Sequence, residues 1–165
     1  MRAFYGKYRG TVTGNTDPRG QNRIRVSCPA VLGDGRTSWA LPCVPYAGDG
    51  LGLALVPPIG TQVWVEFEGG HPDHPIWSGC FWGRGQAPRD TEQPSIKVLR
   101  TEGLTLTIDD TPGSGSVSLV VDSPAVPAPL TIRCSATGIE LVNGNAKVTL
   151  TAATVSVNNG ALEVM

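Results

Sequence analysis

The sequence predicts an all-β protein, with an N-terminal barrel followed by a tail of short strands that completes its core with copies of itself. Three observations lead there. Gly 21 and Pro 14 in 165 residues match many short strands joined by turns, and no stretch carries the period of an amphipathic helix. The aromatic residues all lie at or before Trp82. After that point, apolar residues recur in short stretches of period two, filled by Val, Leu, Ile and Ala.

The first half supplies six candidate strands, at residues 7–13, 23–27, 39–44, 52–56, 62–67 and 76–81. Turn signals separate them: Asp17-Pro18, Gly33-Asp34-Gly35, Gly48-Asp49-Gly50, Pro57-Pro58 and Gly69-Gly70. In Val63-Trp64-Val65-Glu66-Phe67 the alternation puts Val63, Val65 and Phe67 on one face. So many strands in so short a length close most economically into a small barrel, which leaves no long exposed edge. A polar run with two prolines, residues 83–94, then reads as a linker. Charge changes across it: eight basic and six acidic residues up to Ala87, five basic and eight acidic after it. The organisation read from these breaks is a barrel at 1–84, a linker at 85–95 and a strand-built tail at 96–165.

The tail's stretches are Leu104, Leu106 and Ile108; Val117, Leu119 and Val121; Leu130 and Ile132; Ile139 and Leu141; Val148 and Leu150; and Val155 and Val157. Thr, Ser and Asn alternate with them, so each reads as a half-buried strand. Without an aromatic residue, a tail of this size has little volume to fill a core of its own. Stacking repeated strands about an axis shared by several chains solves the shortage, because the inward side chains of neighbours bury one another. These fourteen residues are the expected shared core. The starts of the stretches draw closer toward the C-terminus, as in a taper.

Tyr8-Arg9-Gly10-Thr11-Val12, then Asp17-Pro18-Arg19-Gly20 and Arg23-Ile24-Arg25-Val26, resemble the start of the phage baseplate assembly protein V family, which includes the barrels of type VI secretion spikes. The resemblance continues through Ser38-Trp39-Ala40-Leu41-Pro42, Val56-Pro57-Pro58-Ile59-Gly60 and His71-Pro72-Asp73-His74-Pro75-Ile76-Trp77-Ser78-Gly79. It implies an oligonucleotide/oligosaccharide-binding-type (OB-fold) barrel, and the tail's Ile108-Asp109-Asp110-Thr111-Pro112-Gly113 and Val157-Asn158-Asn159-Gly160-Ala161-Leu162-Glu163-Val164-Met165 resemble the intertwined trimeric β-helix needle of the shorter spikes. It also implies the role of a homotrimeric central spike in a phage tail or phage-tail-like contractile injection system. In such a spike the barrel end, here residues 1–8 and the barrel flank, seats on a baseplate hub protein. The C-terminal end, with Leu162, Val164 and Met165, seats a tip protein of the PAAR type, and the needle touches the target envelope transiently during contraction. Two departures stand out. The linker is too short for the lysozyme domain of some relatives, and no histidine follows His74 to build a metal-bound apex.

The remaining chemistry reads blandly. His71 and His74 form the one metal-like pair, but Pro72 and Pro75 exclude a regular helix and favour a hairpin turn. Asp109 and Asp110 are adjacent on a strand and point to opposite faces, so they cannot act on one bond. No cofactor and no enzymatic activity is expected. Cys28, Cys43, Cys80 and Cys134 match no zinc or disulfide spacing and read as small buried hydrophobes. The rival from another class is an OB-fold nucleic-acid-binding module using Arg19, Arg23, Arg25 and Arg36. The formal net charge of -1 and the acidic tail argue against nucleic acid as a partner. The first ten residues lack the apolar run of a signal peptide, so assembly in the cytoplasm is expected.

Overall fold

A computed structural model describes residues 2–164. The chain divides into two compact units, Met1–Gln86 and Ala87–Met165. The division falls inside the stretch read as a linker.

In the first unit, five strands among the described residues close a barrel: β1 (Tyr8–Gly14), β2 (Ile24–Ser27), β3 (Thr37–Pro42), β6 (Gln62–Phe67) and β7 (Pro75–Cys80). The order around the barrel is β1-β2-β3-β7-β6, with β6 returning to β1 and β3 running parallel to β7. This is the Greek-key closure of the OB-fold. The inward positions follow the alternation of each strand. Val12, Ile24, Val26, Ala40, Val63 and Val65 are almost wholly buried, and Phe67 and Trp77 close the core. Gly10 is small of necessity, since a Cβ there would press on Val65 Cγ2 and the Ser27 carbonyl oxygen. Phe4 packs against Tyr8 and Phe67, and its N–H donates to the Gly70 carbonyl at 2.9 Å. The described residues just before β1 are thus partly engaged on their own barrel.

Several expectations change here. A single helical turn, α1 (Pro29–Leu32), follows β2 and rests Val31 and Leu32 on the core; one turn is too short to show a helical period. Residues 52–56 are not a barrel strand. Only two-residue strands form nearby, β4 (Ala47–Gly48) and β5 (Leu51–Gly52), and they pair with each other alone. In Gly-Leu-Gly-Leu-Ala-Leu the small residues alternate with the large ones, so turning the leucines inward would displace an already filled core. Of the four cysteines only Cys28 is buried, and burial pushes its thiol up. Cys43 lies just past β3, Cys80 ends β7 and Cys134 lies on an open sheet face, so these three are exposed in the protomer.

The loop between β1 and β2 is tied by one acidic side chain. Asp17 accepts from the Arg23 guanidinium at 2.6 Å and from the backbone N–H groups of Arg19, Gln21 and Arg23. Arg23 above all, with these amides, holds the Asp17 carboxyl well below the usual carboxylate range. Both side chains are nearly closed off from solvent.

The second unit begins with a 3-10 turn at Arg89–Glu92, where Asp90 pairs with Arg100. Among the described residues, eight strands then form one antiparallel sheet in chain order: β8 (Ile96–Arg100), β9 (Leu104–Asp109), β10 (Ser116–Val121), β11 (Leu130–Ser135), β12 (Gly138–Asn143), β13 (Ala146–Leu150), β14 (Val155–Val157) and β15 (Leu162–Val164). Strand length falls from six residues at β9–β12 to three at β14 and β15. The last turn, Asn158-Asn159-Gly160, takes three positive φ angles, and Asn158 Oδ1 accepts from the Lys147 N–H at 3.0 Å. Gly138, at φ 133°, opens β12 where a Cβ would overlap the Leu150 carbonyl oxygen.

Two outcomes follow from these local devices. The Asp17 carboxyl titrates near ~3.9 when unfolded and lower when folded, so its contribution is complete above that pH and is lost as pH falls through the folded value. All four tryptophans belong to the barrel unit, so tryptophan fluorescence melts should show barrel stability declining below about pH 4. Asp17→Asn should lower stability at neutral pH and flatten that decline. Gly138→Ala should destabilise the sheet by about 1–3 kcal/mol or more, measured by denaturant unfolding followed in the far ultraviolet.

Candidate trimerisation interface

The registers of the second unit sort its side chains onto two faces. Leu104, Leu106 and Ile108 of β9 stand opposite Val121, Leu119 and Val117 of β10. Those stand opposite Leu130, Ile132 and Cys134 of β11, and Ile132 and Cys134 in turn face Leu141 and Ile139 of β12. Leu150 and Val148 continue the rows on β13, then Val155 and Val157 on β14, then Val164 and Leu162 on β15. All fourteen residues expected in a shared core therefore lie on one face. Sequence reading missed that Leu99 joins them, opposite Leu106. Leu162 and Val164, assigned to a tip seat, extend the same rows; Met165 lies outside the described residues.

This face is open. Among the described residues of the second unit none is buried, and Ile132, Leu141 and Leu150 are each close to half exposed. The other face carries Thr105, Thr107, Ser118, Thr131, Arg133, Glu140, Lys147, Thr149 and Ser156, with Val98, Val120 and Val142 set among them. Lys147 pairs with Glu140 at 2.6 Å, holding that carboxyl below its ordinary value, and Arg133 stands across from Glu140. The sheet thus pairs a mixed face that carries its charged and hydroxyl side chains with a face of leucine, isoleucine and valine rows. A contiguous apolar surface of this extent marks a place for a partner. The interior strands β9–β14 have their ladders on both sides within the chain, so the apolar side chains are what remains for a partner to cover.

The other candidate groups are absorbed locally. His71 and His74 lie between β6 and β7 with rings stacked at 4.8 Å; the Asp73 N–H donates to His71 Nδ1, and the His74 N–H to the His71 carbonyl. Among the described residues no group of three or more His, Cys, Asp or Glu is arranged to hold a metal ion. Asp109 accepts from the Thr111 N–H, and its carboxyl is held low chiefly by hydrogen bonding to Thr111. Asp110 pairs with Lys97. Of the four arginines considered for nucleic acid, Arg23 is bound to Asp17, and Arg23 and Arg25 stand over the Trp39 ring at 5.2 and 5.1 Å. Arg9 stands over Trp64 and Phe81 in the same way. Trp39, Trp64 and Phe81, rings on which bases could stack, are thus engaged by the protein's own guanidinium groups, while Tyr5, Tyr46 and Trp82 stay exposed. Among the described residues no helix is long and apolar enough to cross a membrane.

Comparison with known proteins gives the two units separate matches. Residues 8–82 match the type VI secretion system/phage-baseplate injector OB domain. Residues 96–163 match the phage baseplate V C-terminal trimerisation domain, which supports a homotrimer. The chain is 33% identical over 78 residues to the type VI secretion system spike protein VgrG4b of Pseudomonas aeruginosa, a match covering 47% of this chain and 8% of that protein. The chain therefore spans a small part of that relative's length. A barrel of OB-fold order and a sheet open along one apolar face, each matched by its own domain, are the two parts of a baseplate spike, and the chain belongs to the phage baseplate V and type VI secretion spike family.

Proposed function

We propose that the protein is the structural central spike of a phage tail or phage-tail-like contractile injection system, and that it works mechanically, without catalysis. The observation that carries this reading is the second unit: a sheet of eight strands with its leucine, isoleucine and valine rows from Leu104 to Val157 on one face and none of its described residues buried. Such a unit reaches a stable state by closing that face, and a threefold assembly closes it on an axis. Leu104, Leu106, Ile108, Val117, Leu119, Val121, Leu130, Ile132, Ile139, Leu141, Val148, Leu150, Val155 and Val157 then form the trimer core. Each half-exposed side chain contributes on the order of 1 kcal/mol on burial.

The barrel, with its own filled core, suits the end that seats on a baseplate hub, and the barrel flank is the surface available for that seat. The C-terminal end, with Leu162 and Val164 on β15, suits a tip protein of the PAAR type. The tail carries few charges after Ser123, namely Arg133, Glu140, Lys147 and Glu163, which lowers the desolvation cost of transient passage through a target envelope. Assembly takes place in the cytoplasm before the particle is used.

The trimer core is tested by charge reversal of face. Leu119→Asp or Leu150→Asp puts three carboxylates around a dry axis, a penalty of about 3–5 kcal/mol per chain, and should abolish the trimer in light scattering. Ser118→Asp, on the opposite face across from Arg133, should leave the mass at three chains. Equal mass and melting for all three variants would remove the axial core. Deleting residues 162–165 should leave a trimer by the same measurement while a co-expressed tip protein is lost on co-purification.

A further inference from the structure

We infer that the barrel carries a binding site for an uncharged acetamido sugar, an N-acetylhexosamine unit, in the cavity bordered by the excursion between β3 and β6. The site belongs to the barrel unit alone and is independent of the trimer proposed above. The cavity measures about 420 Å³, a size at which small-molecule sites occur. The loop between β1 and β2 brings Gln21 and Asn22 to its wall, and the excursion brings Tyr46, Leu53 and Leu55. Trp77 of β7 lines it as well. The loop is shaped in advance. Asp17 accepts from the backbone N–H groups of Arg19, Gln21 and Arg23, and Asn22 sits at φ 55°, a left-handed conformation that asparagine tolerates. A ligand meeting this side of the cavity therefore has little ordering to impose.

Three properties of the wall define the ligand. No charged side chain lines the cavity, so an ion entering it would lose hydration without gaining a counter-charge. That excludes phosphates and nucleotides. A second cavity of the barrel, which reaches Arg19, Glu68, Asp73 and His74, offers the contrast. The next property is an orphaned donor. Trp77 is only 5% exposed, and its indole N–H is buried without an acceptor. A buried donor left unpaired is costly, so the occupant must bring an acceptor, which a hydrocarbon does not. The last property is a mixed surface along the excursion. Among the described residues Ala54, Leu55 and Val56 make no backbone hydrogen bond, while the Leu53 and Leu55 side chains are about half exposed.

An acetamido group answers the last two properties together. Its carbonyl accepts from the Trp77 indole, its N–H donates to a free backbone carbonyl of the excursion, and its methyl lies on the leucines. The sugar ring answers what remains. Gln21 and Asn22 are exposed neighbours, and each primary amide can donate to one hydroxyl of a sugar while accepting from the next. The Tyr46 ring, 58% exposed, offers an apolar face to the C–H groups of the sugar. A peptide would use the free backbone groups but would leave the amide pair and the Tyr46 face without their complement.

The test is titration of the nitrogen-15-labelled full chain with diacetylchitobiose, followed at the tryptophan indole N–H resonances, with Trp77→Phe identifying the Trp77 signal. The expected result is a saturable shift of that signal at millimolar sugar or below. Cellobiose, which has the ring hydroxyls but no acetamido group, should leave it in place. Asn22→Gly keeps the left-handed backbone and removes the amide, and should weaken binding by about 2- to 10-fold, the worth of one hydrogen bond. His74→Ala, in the charged cavity, should bind as the parent does. Retention of the parent on chitin would assign the unit to a glycan polymer, and binding of the disaccharide alone would assign it to a free sugar; either upholds the site. A Trp77 signal unmoved by diacetylchitobiose overturns it, leaving a cavity that holds water only. Equal shifts with cellobiose overturn the acetamido assignment, and a shift with an N-acetylated dipeptide amide but not with the sugar makes the cavity a peptide site instead.

Discussion

An apolar sheet face that no described residue of its own unit covers sets the terms for the C-terminal half of this protein. Antiparallel sheets commonly bury one face and solvate the other. Here one face carries hydroxyl groups, three valines and the Lys147–Glu140 pair, while none of the unit's described residues buries the apolar rows of the other. The composition explains why. With Val, Leu, Ile and Ala alone, the rows are too shallow for a sheet to fold back and fill a core with itself. The same slimness lets several sheets approach one axis closely. In the proposed trimer the absence of aromatics is thus a condition for the assembly, and the burial that stabilises the unit is placed between chains.

The barrel follows the opposite rule. It contains every aromatic residue, a closed ladder and a core that excludes solvent from Ile24, Val26, Val63 and Val65. Its loops are tied by buried polar groups, Asp17 and Arg23 above all, which would be costly to separate. On the proposed reading one polypeptide joins a unit that carries its own hydrophobic core to one whose core is shared. That combination suits a part that must present a fixed surface at one end and cohere with identical partners at the other.

Much of this was legible in the sequence because period-two alternation survives intact wherever one sheet face is buried. The rows from Leu104 to Val157 fell on one face because each strand keeps the alternation through its hairpin. Legibility failed where alternation had another purpose. Residues 52–56 alternate as a strand does, yet their leucines face out, and nothing in the pattern tells an inward row from an outward one. Cys134 was misread for the same reason: it is apolar in context, but its face is open in the protomer. Leu99 was missed because β8 carries one row residue, too few to show a period. The guanidinium groups over Trp39 and Trp64 were beyond reach, since cross-strand neighbours depend on register.

The narrowing of the sheet has a consequence for where the needle yields. Six paired positions join β10 to β11, but only three join β13 to β14 and β14 to β15. The outermost row residues, Leu162 and Val164, are also the most exposed, at 61% and 60%. Local opening is easiest where ladders are short and burial is slight, so amide protection should grade downward along the unit, with β15 fraying first. Anything bound there adds its free energy at the position that has least of its own. The short-laddered end of the sheet is thermodynamically the end that would gain most from a cap.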